Sequence, residues 1–346
     1  MRRRRSRAKI NTNIEDVAVA AKVSVATVSR TMERPELVRE ETRLRVHEAI
    51  KQLRYTPNVH ARGLRTARTR LIIALVPDIA NPFFSEVIRG IEQAAHERSY
   101  SVLLGNTQNS RSREQAYVDL VAARQADGLI TLLPRAPQMK VLGRMPVVNA
   151  CEYVLDSTTT SVSVDNVAGA ESAISHLLNL GHRCIAFVSG PSNTPINVDR
   201  RRGYEGALQQ AGLKIDTRLI IPGDFTFEAG ARAVDTLLDA RLKFTAVFCA
   251  NDEMAIGAIR ALRLRGLRVP EDCSIVGFDD IRFARYTEPP LTTVAQPKNQ
   301  LGREAIGLLL EILTSSDTPV RKHVLPVDLV VRGSAAPCGS AREGQR

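Results

Sequence analysis

No stretch of 18 apolar residues occurs in the 346-residue chain, so nothing reads as a transmembrane span and no membrane partner is expected. The first residues, MRRRRSRAK, are basic, but polar INTNIED follows where a secretory leader needs its apolar stretch. The expected location is the cytoplasm. Cysteine is scarce: Cys151, Cys184, Cys249, Cys273 and Cys338 are odd in number, widely spaced and include no CxxC pair. They read as reduced thiols, four packed in cores and one in the tail. No His/Cys group has metal-ligand spacing, and His176 and His182 flank a turn where surface or capping roles suit them. A GxSxG elbow, a Walker A loop, an HExxH helix and a GxGxxG turn are all missing. Neither an enzyme nor a bound cofactor or metal has residues to rest on.

Positive charge is in excess, and the excess is at one end. The net charge is +11. Residues 1–70 carry 18 Lys and Arg against 7 Asp and Glu, whereas the remainder is balanced at 30 of each. A solvated basic tail would not also place Arg30, Arg62 and Arg65 within structured elements, so a polyanion partner is the better reading.

Within that basic segment, IEDVAVAAKVSVATVSRTM (Ile14 to Met32) reads as two short helices joined by a tight turn. Asn13 suits the first N-cap, with Glu15 and Asp16 at the positive helix end, and Ser24 suits the second. Ile14, Val17, Ala18 and Ala21 make one apolar face, and Val23 plugs the angle between the helices. On the second helix Val28, Thr31 and Met32 fall on one arc, and Val25, Ala26, Ser29 and Arg30 on the other. The outward arc is small except for Arg30, a shape that enters a major groove and grips a guanine edge. The hydrophobic pattern alone would fit any helical hairpin. The charge around it selects a DNA reader.

Along the chain, residues 1–13 read as a disordered basic tail and 14–56 as the helix-turn-helix domain, completed by a third helix, Glu40–Leu53. Residues 57–70 are rich in arginine and nearly free of apolar side chains. Pro57 can start a short helix through Leu64, although Gly63 costs it about 0.5–1 kcal/mol relative to alanine. Such a helix is marginal in water and would fold only against a surface. The segment is either a flexible linker or a hinge helix whose Leu64 wedges into a minor groove.

From Leu71 strand-length apolar runs alternate with helices. LIIALVP, SVLLG and GLITLLP are separated by helices at Phe84–Arg98 and Arg113–Arg124. A second series has SVSVD, CIAFVSG, LIIPGDF, TAVFCAN and SIVGFDD, with helices at Ala168–Leu180, Arg202–Ala211, Glu228–Ala240 and Met254–Leu264. Two such series predict two doubly wound parallel-sheet lobes. The expected fold is an α helix-turn-helix headpiece plus an α/β core. Ligands of such sheets sit beyond the carboxyl ends of the strands, here Asp78 to Phe84, Asp165-Asn166, Gly190-Pro191, Asp224-Phe225, Asn251-Asp252 and Asp279-Asp280. Each aspartate alone fits a cap or turn at least as well; together they favour a small polar ligand flanked by aromatic faces.

IEDVAVAAKVSVATVSR, YTPNVHARGL, LIIALVPDIANPFFSEVIRGIEQAA, HLLNLGHRCIAFVSGP, FTAVFCANDEMAIGAIRAL, VPEDCSIVGFDD and PPLTTVAQP resemble, in order and over about residues 14–334, the lactose-repressor (LacI/GalR) family of transcriptional regulators. GDFTFEAG, AVFCANDEMAIGA and PPLTTVAQP are most similar to its cytidine and purine repressor branch. The resemblance implies a homodimer on a palindromic double-stranded operator, with lobes like those of a periplasmic binding protein, the first about 71–165 and 297–325 and the second about 166–296 and 326–334. Residues 335–346 are then a tail. It implies that Val25, Ala26 and Arg30 read bases, that Ser24, Thr27, Ser29, Tyr55 and Asn58 position on phosphate, and that Leu64 with Arg65 enters the minor groove. It places a small-molecule effector, a nucleoside or a related compound, against Phe83, Phe84, Asp165, Arg200, Phe225, Asn251 and Asp279. Some relatives also act beside a second DNA-bound regulator, a further partner the weak hinge leaves room for. Glu33, Arg39 and Gly63 depart from the family pattern, and the tail lacks the leucine heptads of a tetramer-forming helix. A sugar-responsive regulator is the alternative within the family. A solute-binding protein shares the lobes but not the basic headpiece, and a cytosolic enzyme lacks catalytic residues.

Overall fold

The computed structural model describes residues 12–56, 68–135, 145–152, 159–192, 194–315 and 319–339. Asn58, Gly63, Leu64 and Arg65, and with them the expected hinge helix, lie outside the described residues, as does most of the basic tail. The chain divides into two compact units after Thr69.

Among the described residues the first unit holds three helices, α1 (Ile14–Ala21), α2 (Val25–Glu33) and α3 (Glu40–Leu53). Asn13 caps α1 through a reciprocal box with Asp16, and Lys22 ends it in the left-handed region at φ +52°. That turn lets the Val23 N–H bond the Ala18 carbonyl at 3.0 Å and places Val23 between the helices. Val17, Ala18, Ala21, Val28, Val46 and Ala49 form a small buried core. Arg39 precedes α3 without a side-chain cap, as a residue with no acceptor must.

The second unit contains two six-stranded sheets. The first is ordered β11 (Lys322–Leu325), β5 (Thr160–Val164), β4 (Val147–Ala150), β3 (Gly128–Thr131), β1 (Leu71–Val76), β2 (Ser101–Asn106), all parallel. The second is ordered β12 (Asp328–Val330), β10 (Thr292–Ala295), β9 (Ser274–Asp279), β8 (Ala246–Cys249), β6 (Ile185–Ser189), β7 (Ile220–Pro222). It is parallel except for β12, which runs against β10. Helices α4 (Pro82–Glu97), α5 (Arg111–Ala122) and α10 (Lys298–Thr314) serve the first sheet, and α6 (Asn166–Asn179), α7 (Pro195–Gln210), α8 (Phe227–Asp239) and α9 (Asp252–Leu264) the second. The strands are buried apolar runs, as parallel sheets covered on both faces require. The chain crosses between lobes three times, from β5 to α6, from β10 to α10 and from β11 to β12.

Helix pairs approach closely at glycines. A Cβ on Gly230 of α8 would stand 1.9 Å from the Met254 carbonyl oxygen, and one on Gly257 of α9 would stand 1.9 Å from that of Phe227. Gly307 on α10 has nothing within 4 Å of its Cβ position. Gly230→Ala should therefore destabilise by about 1–3 kcal/mol through overpacking. Gly307→Ala should stabilise by about 0.5–1 kcal/mol through helix propensity. Opposite shifts of the urea midpoint are the expected result, and a shift of the same sign in both would contradict it.

Three sequence expectations need correction. Helix α7 starts at Pro195, not Arg202, because Pro195 takes the N1 position and Asp199 and Arg200 already lie on the helix. Cys184 is exposed together with Cys338, so three cysteines rather than four are buried. His182 is buried rather than a surface or capping residue: its ring nitrogens lie 2.9 Å from Thr245 Oγ1 and 3.0 Å from the Ala336 carbonyl. With the Cys338 N–H donating to the Leu180 carbonyl at 2.8 Å, it fastens the last described residues, read as tail, to the second lobe.

Candidate nucleic-acid interface and ligand cleft

The headpiece presents one short helix end. Ser24 caps α2 by accepting from the Thr27 N–H at 3.2 Å, and its hydroxyl lies 2.9 Å from that of Thr27. Val25, Ala26 and Arg30 are exposed on one side of α2, while Val28 and Thr31 are buried on the other. The Thr31 hydroxyl donates to the Thr27 carbonyl, which hides its polarity. Ser29 does not share the outward face: it is buried beside Val28, because its short side chain sits at the edge of the helix-packing arc and is covered. A phosphate contact from its hydroxyl has no support in this arrangement. Tyr55 is half-buried against the headpiece core, and Ser24 and Thr27 lie at the helix's positive end.

In the second unit the carboxyl ends of both sheets bear the other expected residues. Asn81 caps α4 and also donates to Glu253 Oε2 at 2.9 Å, bridging the first lobe to the start of α9. Phe83 and Phe84 meet edge to face with centroids 5.3 Å apart. Phe83 belongs to the first-lobe core, and only Phe84 is half-exposed. Asp165 is exposed at the crossover and caps α6 through the Ala168 N–H. Its carboxylate is thus the helix cap that a single aspartate suggests.

Arg200 is the hub. Its side chain is 4 % exposed and lies 3.7 Å from Asp279 Oδ1, with its guanidinium carbon 3.7 Å from the Phe278 ring centroid. It donates to Asn166 Oδ1 at 2.9 Å and to the Ala250 carbonyl. Asp279 takes φ +119°, a region that strains a residue with a Cβ, and its carboxylate accepts from Gln296 at 2.6 Å. Lys298 Nζ holds the Asp279 and Asp280 carbonyls at 2.6 and 2.8 Å. Asn251 caps α9 and donates to the carbonyl of Phe225, itself left-handed at φ +69°. The structure thus joins Arg200 to Asp279 and Asn251 to Phe225.

Among the remaining cleft residues, Asn166 and Asp252 stand in the strand-end pairs read from the sequence, whereas nothing there singles out Glu152, Glu253 or Lys298. Asn166 stands next to Asp165 at a strand end, and its burial beneath Arg200 was not predictable from that adjacency. Asp252 is buried and accepts from the Ile281 N–H at 2.8 Å; burial, then Asp279, pushes its carboxyl well above the usual range. Glu152 is buried after β4, and burial pushes its carboxyl up to about 8 against the pull of Arg200. Burial likewise raises Glu253 to about 7. Gln296 and Lys298 follow β10 and flank Pro297.

A carboxyl whose folded pKa is raised holds its proton in the native state after the unfolded chain has lost it, so stability falls as pH rises through that window. For Glu152 the window runs from the ordinary carboxylate range up to about 8. Glu152→Gln should flatten the fall in unfolding free energy between about pH 5 and 8. A variant whose melting temperature tracks the parent across that range would show that Glu152 does not titrate there.

Residues 13–58 match the family model for bacterial regulatory proteins of the lacI family, and residues 174–335 match that for a periplasmic binding protein-like domain. The HTH-type transcriptional repressor CytR of Escherichia coli K12 is 40 % identical over 325 residues, covering 93 % of this chain and 95 % of the relative. This chain belongs to the lacI family. As a lacI-family transcriptional regulator it is similar to proteins that control transcription rather than to enzymes. The Lac repressor dimer bound to operator and the anti-inducer ONPF superposes with a TM-score of 0.84 at 28 % identity, over 94 % of this chain and 99 % of that one. The CelR–cellobiose complex superposes with a TM-score of 0.73 at 34 % identity, over 94 % and 100 %. The helix-turn-helix headpiece and the two α/β lobes are the family's architecture. Operators and small-molecule effectors are its partners. No helix among the described residues is long and apolar enough to cross a membrane.

Proposed function

We propose that this regulator is a repressor that binds a pseudo-palindromic operator as a homodimer, with one headpiece on each half-site. The observation that carries the reading is the exposed Val25, Ala26 and Arg30 face on a capped helix in the basic part of the chain. Ser24, Thr27 and Tyr55 serve as phosphate contacts, and Asn58, Leu64 and Arg65 complete the grip beyond the described residues. Likeness to a repressor solved as an operator-bound dimer supports the assembly. The expected location is the cytoplasm, on the nucleoid.

The effector sits where the carboxyl ends of the two sheets face each other, bounded by Phe84, Arg200, Phe225, Asn251 and Asp279. A ribose or other polyol finds carboxylate and amide partners there, and Phe84 and Phe225 offer faces to a planar base. This favours a nucleoside or a related compound; CelR in complex with cellobiose supports a sugar as the second reading. Action beside a second DNA-bound regulator is compatible with a marginal hinge helix. Ligand that changes lobe geometry would change the distance between the two hinges. Driving the DNA-competent population from 99:1 to 1:99 takes about 5.5 kcal/mol of differential effector affinity.

The test is DNA binding by the purified chain across a salt titration, repeated with nucleosides, purines and sugars. Sequence-preferring binding with a steep salt slope, altered by a ligand that calorimetry shows to bind, is expected. Binding that shows no sequence preference with or without ligand would defeat the proposal.

A further inference from the structure

The amino ends of the second-lobe strands, on the opposite edge of the sheet from the cleft, enclose a cavity of about 340 Å³. Its rim carries Arg183, Lys214, Arg241 and Lys243, all exposed. Its floor is apolar, made by Leu208, Leu219 and Leu242 beside the buried Tyr204, whose hydroxyl is committed to the Ile185 carbonyl at 2.8 Å. Two further charges cancel locally, since Arg218 chelates Asp216 through bonds of 2.9 and 2.6 Å.

Basic residues are expected where helices end, because each C-terminus carries roughly half a negative charge. Helices α6, α7 and α8 end at Asn179, Gln210 and Asp239, just before these cations in sequence. Arg183 does serve this role, donating to the Leu178 carbonyl at 2.8 Å. Three helix ends supply only about −1.5 charges against four cations, so about 2.5 positive charges stay unbalanced around a recess. Acids on the neighbouring surface are already engaged, Asp235 and Asp239 with Arg265. The volume is within the range of small-molecule pockets, about 300–1,000 Å³, and a recessed site suits a compact ligand better than a flat protein face.

We propose that this cavity is a second ligand site, separate from the cleft, for a small organic polyphosphate of the nucleoside di- or triphosphate class. Phosphates would lie on Lys214, Arg241 and Lys243 at the rim, with Arg183 lending charge, and the base would lie on the leucine floor. Anions are held here by charge and hydrogen bonds that salt screens, while the base adds contact area that inorganic phosphate lacks.

The experiment is calorimetric titration of the full chain with ATP, beside adenosine, pyrophosphate and a hexaglutamate peptide as probes. A Lys214→Ala/Lys243→Ala double variant is titrated in parallel, its folding checked by its melting temperature and its unliganded operator binding. ATP should bind at a single site per chain, and the double variant should bind it about tenfold or more weakly. Excess adenosine should not displace ATP, and operator binding by the variant should be unchanged. Equal ATP affinity in the variant, or displacement of ATP by adenosine, would overturn the proposal, the latter by placing the nucleotide in the cleft. Pyrophosphate as tight as ATP would overturn the nucleotide class, and a tighter hexaglutamate peptide would make this a protein-docking face. No ATP binding at millimolar concentration would also overturn it. Because binding is read directly, failure here leaves the operator-binding reading standing, and the reverse holds.

Discussion

Arg200→Met should lower the unfolding free energy by about 3–5 kcal/mol and abolish effector binding in the cleft. The magnitude follows from what the guanidinium leaves behind. Methionine can refill the space over the Phe278 ring, but it donates no hydrogen bond to Asn166 Oδ1 or to the Ala250 carbonyl. Asp279 would keep Gln296 as a donor and lose the positive charge 3.7 Å away. Burial already pushes Asp279 up to about 6, and Arg200 is the first charge pulling it back down. Without Arg200 its folded pKa rises further, so the interval over which stability falls with pH widens upward. The loss relative to the parent should therefore be smaller at about pH 5, where Asp279 is largely protonated in both, than at pH 8. Adding Asp279→Asn to Arg200→Met should recover part of it. Urea denaturation at the two pH values decides the matter: an equal loss at both would mean that packing, not the buried charge, is what Arg200 contributes.

Arg30→Ala should weaken operator binding by about 1–3 kcal/mol per half-site and relax selection at one base pair in each. Arg30 is exposed in the last turn of α2, and among the described residues it has no salt-bridge partner to give up. Its neighbours on that face, Val25 and Ala26, are small and apolar, so they can follow a thymine methyl but cannot replace a bidentate grip on guanine. The measurement is selection from a randomised duplex pool with the parent and the variant, followed by affinities on the recovered sites. Uniform weakening on every sequence, with a smaller salt slope, would reassign Arg30 to a phosphate.

The parts of the molecule that were legible in the amino acids are those where local chemistry and tertiary structure agree. Asn13 and Ser24 cap the helices they precede, and runs such as LIIALVP and TAVFCAN are strands buried on both faces. Helix starts were read late wherever the first turn is polar. Asn251 caps α9, whose opening residues Asp252 and Glu253 look like surface and are buried. Helix α7 was misplaced furthest, since PINVD is neither amphipathic nor a strong helix former and is held by tertiary contact, with the Gly190 N–H bonding Asn197 at 2.6 Å. The edge strands β11 and β12 are three or four residues long and partly exposed, too little pattern to read without their neighbours. In the cleft, Phe225, Asn251 and Asp279 were found through their place at strand ends. Glu152 and Lys298 were not, because a buried charge leaves no trace in hydrophobic periodicity.

The three crossings between lobes also set an order of assembly. When residue 296 has been made, β6 to β10 are complete and the second lobe lacks its edge strand β12 and the segment through Cys338 that fastens to it. The first lobe, although its β1 was made much earlier, still waits for α10 and for β11 on its outer edge. The lobe begun first is thus completed only with the final stretch of the chain. A nascent or truncated product stopping after Thr314 would bare a sheet edge in both lobes at once, which makes β11 and β12 a shared closing step for folding.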